Sequence, residues 1–154
     1  MSRGVADRVQ LHASCVALEG VAILLRGAPG VGKSDLALRL VDAGGALVAD
    51  DLCEIRREGA RLLADLPASV EARFRGRIEI RGLGVFALPY AGATPLALVV
   101  DLRPGGCAER LPLAETASFL GVALPLVCLD PFHASCVAKL RLLAKGGPGS
   151  IMRA

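Results

Sequence analysis

The sequence predicts an α/β domain with a mixed β-sheet, and three observations carry that expectation. Residues 21–25, an apolar strand-like run, lead into the glycine-rich stretch RGAPGVGKS and then into a segment of helical periodicity. After that segment a short apolar run, residues 46–49, ends in two aspartates. Most of the remainder is short strand-like runs bounded by glycine, proline and acidic residues. The 154 residues suit one domain around a single core, residues 1–145, with GGPGSIMRA, residues 146–154, as a flexible tail.

Taken in order, residues 9–18 read as a strand, 19–20 as a tight turn and 21–25 as a second strand. From Lys33 to about Ala43, the residues Leu36, Ala37, Leu40 and Val41 recur at helical spacing, and Gly44 and Gly45 stop that helix. Residues 46–49 form a short buried strand. Residues 53–57 and 60–63 form a hairpin around Glu58 and Gly59. Residues 65–77 follow no clear pattern. Residues 78–80 and 85–88 are short strands around RGLG, 96–102 is a strong apolar strand, and 103–115 is a polar loop. Residues 124–129 are the last strand. Asp130 and Pro131 then open a helix as cap and first-turn residue, with Phe132, Cys136, Leu140 and Leu143 at helical intervals.

Composition narrows the class. At 53% hydrophobic, burial is not limiting, and at 3% aromatic the core must be built from Ala, Leu, Val and Ile. The net charge of +3 is modest, and the Lys and Arg residues are scattered without interleaved aromatics, which argues against a nucleic-acid partner. The longest apolar runs are about half of what a bilayer span needs, and no basic head with a cleavage site opens the chain. The expectation is a cytoplasmic protein with no membrane segment. Five cysteines, none in C-x-x-C, argue against a zinc site or disulfide framework and for small buried thiols in a reducing compartment. The hexapeptide HASCVA occurs at residues 12–17 and 133–138 and contains both histidines, His12 and His133. Its flanks differ, and one copy reads as strand and the other as helix, so it is not an internal repeat.

The chemistry concentrates in one motif. Gly27, Ala28, Pro29, Gly30, Val31, Gly32, Lys33 and Ser34 fit the phosphate-loop pattern, with a strand before and a helix after. Glycines let backbone N–H groups approach phosphate oxygens, and the helix N-terminus adds a favourable dipole. Lys33 is placed to reach the β- and γ-phosphates of a nucleotide, and the Ser34 hydroxyl to bind Mg²⁺. The plainer reading is a Gly/Pro turn with an exposed lysine, and the strand–loop–helix context argues against it.

The second piece is VADD, residues 48–51. The helix descends about 16 Å at about 1.5 Å per residue. A returning strand of about five residues climbs a similar height at about 3.3 Å per residue. Asp50 and Asp51 therefore arrive beside the phosphate loop. Successive strand side chains point to opposite faces, so the two divide roles. One faces the γ-phosphate or Mg²⁺, the other the acceptor or the scaffold. A single metal-side carboxylate with a neighbouring strand-end Asp fits the spacing as well, and it also implies a nucleotide site.

A third piece is IEIRGLG, residues 78–84. Together with LVADD, residues 47–51, it resembles the HPr kinase/phosphorylase family. That family phosphorylates a serine of HPr, a small phosphocarrier protein of phosphotransferase systems, and can remove the phosphate by phosphorolysis. The resemblance is dense from about Leu11 to Leu88 and thin to about Ala144, and it is to the short forms holding only the kinase domain. It implies a P-loop kinase fold similar to phosphoenolpyruvate carboxykinase, ATP and Mg²⁺ as cofactors, an HPr-like protein as partner, and a homohexamer.

The resemblance also implies site residues. His12 falls at a catalytic histidine before the loop. Lys33 matches the loop lysine, and Ser34 a Mg²⁺-binding serine. Asp51 matches a general base toward the acceptor serine, Glu79 a second Mg²⁺ ligand, and Arg110, in ERLP, a catalytic arginine. Asp50 and Arg81 are secondary candidates. Asp50 would orient Lys33 or Asp51, or bind Mg²⁺ through water. Plainer readings stand beside these: His12 as a strand histidine, Glu79 with Arg81 as a surface ion pair, and Arg110 as a solvated side chain. The chain departs from the family after the last strand. There an arginine-containing segment tied to dephosphorylation is replaced by LDPFHAS, residues 129–135. An arginine fork is the natural phosphate partner, so its loss puts the phosphorylase half in doubt. Two other classes fit the motif: a small-molecule P-loop kinase, and a nucleotide-responsive regulatory module that binds a partner without turnover.

Overall fold

The computed structural model describes residues 7–107 and 115–146. In chain order the strands are β1 (Arg8–Leu11), β2 (Ser14–Leu18), β3 (Val21–Arg26), β4 (Ala46–Ala49), β5 (Cys53–Glu58), β6 (Arg61–Asp65), β7 (Arg77–Ile80), β8 (Gly84–Ala87), β9 (Thr94–Leu102), β10 (Glu115–Phe119) and β11 (Val122–Leu129). The helices are α1 (Lys33–Asp42) and α2 (Cys136–Gly146). The tail expected over 146–154 lies outside the described residues, apart from Gly146, which ends α2.

The sheet is mixed, as expected. β3 is central, antiparallel to β2 and parallel to β9. β4 pairs antiparallel with β2 and so runs in the same direction as β3. β9 is long enough to take two partners in succession. Its first residues pair with β6 and its last with β11. β5 joins β6 to β1, β10 closes on β11, and β7 with β8 forms a separate two-stranded ribbon.

Alternation along β3 divides the core into two layers. Ile23 and Leu25 face α1, where they meet Leu36, Leu40, Leu98, Val100 and Leu140. Ala22 and Leu24 face the other way, onto Cys15, Ile55, Leu62, Ala64 and Val99. α1 forms because Leu36, Ala37, Leu40 and Val41 make one buried stripe, and the Asp35–Arg39 pair at 3.0 Å supports its outer face. Arg39 also donates to the carbonyl of Pro131, and Arg141 to that of Ala43, so the C-terminal end of α1 is tied to the α2 side of the layer.

Five expectations need correction. The strand expected over 9–18 is two strands broken at His12 and Ala13, because β1 pairs with β5 while β2 pairs with β3 and β4. The hairpin turn sits one residue later than expected, since Glu58 pairs with Arg61. β10 was not anticipated; its mostly exposed, polar residues carry no apolar run. The last helix starts at Cys136 rather than Pro131. Asp130 instead accepts from Phe132 N–H at 2.9 Å, folding residues 130–135 into turns before the helix. Finally, Cys107 and Cys128 form a disulfide, with Cα atoms 6.2 Å apart, whereas Cys15, Cys53 and Cys136 are the buried free thiols expected. The pairing brings together residues 21 apart in sequence, which cysteine spacing alone does not show.

Candidate phosphate-binding site

β3 ends at Arg26, and residues 27–32 turn the chain into α1. Gly30 and Gly32 have φ of +80° and +107°, the left-handed region that costs any residue with a Cβ. Gly27 is required for a different reason. A Cβ there would lie 2.6 Å from Val31 Cγ1 and 3.3 Å from the Leu102 carbonyl. The loop closes on itself through Val31 N–H to Ala28 O at 3.1 Å, and the helix begins with Leu36 N–H to Gly32 O at 2.9 Å. Lys33 Nζ folds back over the loop and donates to Gly27 O at 2.8 Å and Ala28 O at 3.1 Å. The Phe132 ring lies over Gly32, where a Cβ would approach to 3.1 Å.

β4 delivers the paired aspartates to this loop. Asp50 Oδ1 accepts from Ser34 Oγ at 2.8 Å and from Ser14 Oγ at 2.8 Å. Asp51 turns away and is exposed. Its φ is +69°, and Leu52 N–H donates to Asp50 O at 2.8 Å across it, the pattern of a strained three-residue γ-turn. The two aspartates therefore have different surroundings. Asp50 is the partner of Ser34; it does not touch Lys33, which its own loop carbonyls hold.

The other expected residues are placed less centrally. His12 is exposed in the bend between β1 and β2, two residues before Ser14. Glu79 and Arg81 are exposed on the β7–β8 ribbon, where Ile78 alone of the strand is buried toward α1. Among the described residues no ion pair joins Glu79 to Arg81, and neither hydrogen-bonds to the loop. Arg110 lies outside the described residues.

Sequence reasoning missed two features. The first is Ser14, fully buried on β2. Its one signal was a polar residue inside an otherwise small and apolar stretch. The second is the fork of Arg26 on Asp101, at 2.8 and 3.2 Å, which locks the end of β3 to β9 immediately before Gly27. Charged residues ending two separate apolar runs were the available signal.

The donor set fits a hydrated divalent cation. Among the described residues no group of three or more His, Cys, Asp or Glu forms an all-protein metal cage. A serine hydroxyl beside a carboxylate is instead what Mg²⁺ uses when waters and phosphates complete its shell. The cleft adjoining Asp50, lined by Leu47, Phe74 and Arg77 among others, holds about 210 Å³. Ligand pockets typically hold about 300–1,000 Å³, so this cleft is smaller than that range.

A strand–loop–helix phosphate cradle, with its serine paired to an aspartate just past the end of β4, which runs parallel to β3 with β2 between them, defines a P-loop α/β protein. The HPr Serine kinase C-terminal domain family matches residues 3–91, and the chain belongs to that family. It is 39% identical over 134 residues to the HPr kinase/phosphorylase of Chlorobium phaeobacteroides, covering 80% of this chain and 41% of that protein. It is 36% identical over 144 residues to that of Burkholderia lata, covering 84% and 42%. The chain thus spans less than half the length of these relatives. Among solved structures, the Hpr(Ser) kinase/phosphatase from Coxiella burnetii superposes with a TM-score of 0.70 at 25% identity, over 90% of this chain and 93% of that one.

Proposed function

We propose that this chain transfers the γ-phosphoryl group of ATP to a serine of an HPr-like phosphocarrier protein, in the cytoplasm and as a homohexamer. The observation that carries the reading is the Ser34–Asp50 hydrogen bond beside a complete phosphate loop. Family membership and the names of the relatives support the choice of substrate. Such transfer relies mainly on positioning and charge stabilisation. Lys33 would leave the Gly27 and Ala28 carbonyls for the β- and γ-phosphates. Ser34 and Asp50 would hold Mg²⁺, with Glu79 as a further carboxylate. The cation would neutralise charge building on the phosphates. Asp51, exposed at its turn, would take the proton of the acceptor hydroxyl. His12 and Arg110 are proposed to act on the transferred group, and Arg81 is the peripheral candidate on the ribbon.

Purified protein, ATP, Mg²⁺ and HPr should yield phosphoserine-HPr. No phosphoserine from a competent HPr overturns the proposal. The turn after β11 contains no arginine, which favours a second reading: nucleotide-dependent binding of the partner without turnover. Complex formation in the absence of phosphotransfer would select it. Phosphorolysis is tested by adding inorganic phosphate to phosphorylated HPr, and the missing arginines predict a weak or absent reversal.

A further inference from the structure

We infer that Ser14 is a positioning residue that aims both aspartates of the Asp50–Asp51 turn, and so sets metal–nucleotide affinity; this rests on the proposed phosphotransfer site. Ser14 is fully buried, and its hydroxyl does two things. It donates to Asp50 Oδ1 at 2.8 Å and accepts from Asp51 N–H at 3.4 Å. A buried strand serine satisfied in the ordinary way bonds a nearby backbone carbonyl. The other serine in the same sequence context does stay local: in the second HASCVA copy, Ser135 Oγ bonds His133 Nδ1 at 2.8 Å. Ser14 instead reaches 36 residues along the chain to the carboxylate that also holds Ser34.

Two consequences follow. Asp50 Oδ1 receives two hydroxyl hydrogens, one from Ser34 and one from Ser14, which fills its lone pairs. Among the described residues Oδ2 has no partner, so it is the oxygen left free for a ligand. The γ-turn at Asp51 is strained, and such a conformation persists only where surrounding contacts over-determine it. Ser14 supplies one contact on each side of it, to the Asp50 side chain and the Asp51 amide. The Ser14 hydroxyl thus links the central sheet to the metal-side carboxylate and to the exposed Asp51 through two hydrogen bonds.

The test is Ser14→Ala, with Ser14→Cys as an isosteric variant keeping only a weak donor and Ser14→Thr as the conservative rescue. Mn²⁺ binding in the presence of ADP, followed by electron paramagnetic resonance, should weaken about tenfold or more in Ser14→Ala, the range seen when outer-shell partners are removed. ADP affinity without metal should be unchanged. In the metal-free protein, amide exchange at Asp51 should accelerate about tenfold or more, since its hydrogen-bond acceptor is gone. Ser14→Thr or Ser14→Cys should recover part of both effects. If Ser14→Ala folds and keeps wild-type Mn²⁺ affinity and wild-type Asp51 exchange, the inference is wrong. None of these readouts needs HPr. If wild-type protein fails to phosphorylate HPr while Ser14→Ala still loses metal affinity, the substrate assignment falls and the role of Ser14 stands.

Discussion

Replacing Gly27 by alanine should cost stability through one identifiable contact. The added Cβ would lie 2.6 Å from Val31 Cγ1, against about 3.5–4.0 Å for relaxed carbon atoms. Val31 is 8% exposed and belongs to the helix-side core, and a β-branched side chain cannot swing its methyl away at no cost. Overpacking of this kind destabilises by about 1–3 kcal/mol. Val31→Ala alone removes two methyl groups and should cost about 2 kcal/mol. In that background the Cβ added by Gly27→Ala meets the Leu102 carbonyl at 3.3 Å and the Cβ of residue 31 at 3.5 Å, the latter an ordinary contact. The backbone of Gly27 is outside the left-handed region, and alanine also narrows the unfolded ensemble, worth about 0.4–1 kcal/mol. The second substitution should then be nearly neutral. The four proteins form a double-mutant cycle in urea, with an expected coupling of about 1–3 kcal/mol. Equal cost of Gly27→Ala in both backgrounds would refute the argument. It would mean that the first loop glycine is needed for something other than the close approach of Val31.

Other outcomes follow from the site and the core. Asp51→Asn should lower phosphotransfer by about 10²–10⁴-fold, the usual contribution of a general base, and leave nucleotide binding intact; full activity would remove Asp51 from that role. Asp50→Asn should instead weaken Mg²⁺-dependent nucleotide binding, measured by calorimetry with and without metal. Burial alone would raise the Asp65 carboxyl, but hydrogen bonds from Arg75, the Leu66 amide and Arg56 outweigh it and hold the group below its ordinary 3.8. The stability it contributes is therefore full above 3.8 and is lost as the pH falls through the lower folded value. Asp65→Asn should cost roughly 1–3 kcal/mol near neutral pH, and urea titrations should show the gap to wild type closing in acid. Thiol titration should find no reactive cysteine in the native oxidised protein, because Cys15, Cys53 and Cys136 are buried and burial raises the Cys15 and Cys136 thiols. Reducing Cys107–Cys128 should expose two thiols and lower stability by about 3 kcal/mol, the loop-closure value for a span near this length.

Features readable in the sequence share a local cause. The phosphate loop, α1 and β4 are each specified within about a dozen residues, by glycines, by a helical stripe and by a short apolar run. The arrival of Asp50 at Ser34 needed only helix and strand rise to be anticipated, and the 2.8 Å contact agrees. What escaped depends on distant partners. The break at His12 arises because two halves of one apolar stretch join different strands. The disulfide and the Arg26–Asp101 fork exist only once β3, β9 and β11 lie side by side. Asp130 and Pro131 have the chemistry of a helix start, but the Asp130 carboxylate also accepts from Gly105 N–H at 3.2 Å. That tertiary bond, and the seating of Phe132 on Gly32, hold the segment in a turn until Cys136. The role of Ser14 escaped for the same reason: its partner Asp50 lies just past the end of another strand.

The folded-back Lys33 makes ligand entry an exchange rather than an addition. Its ammonium already has two carbonyl partners, so an incoming anion gains only the difference between phosphate and those oxygens. A ligand whose phosphate chain stops short of the lysine gains nothing from it and leaves the old bonds in place. On the proposed phosphate-binding role, the loop would thereby discriminate by phosphate-chain length, using a competitor built into its own backbone. Calorimetry should show it as a step in affinity between nucleoside mono- and diphosphates that disappears in Lys33→Ala.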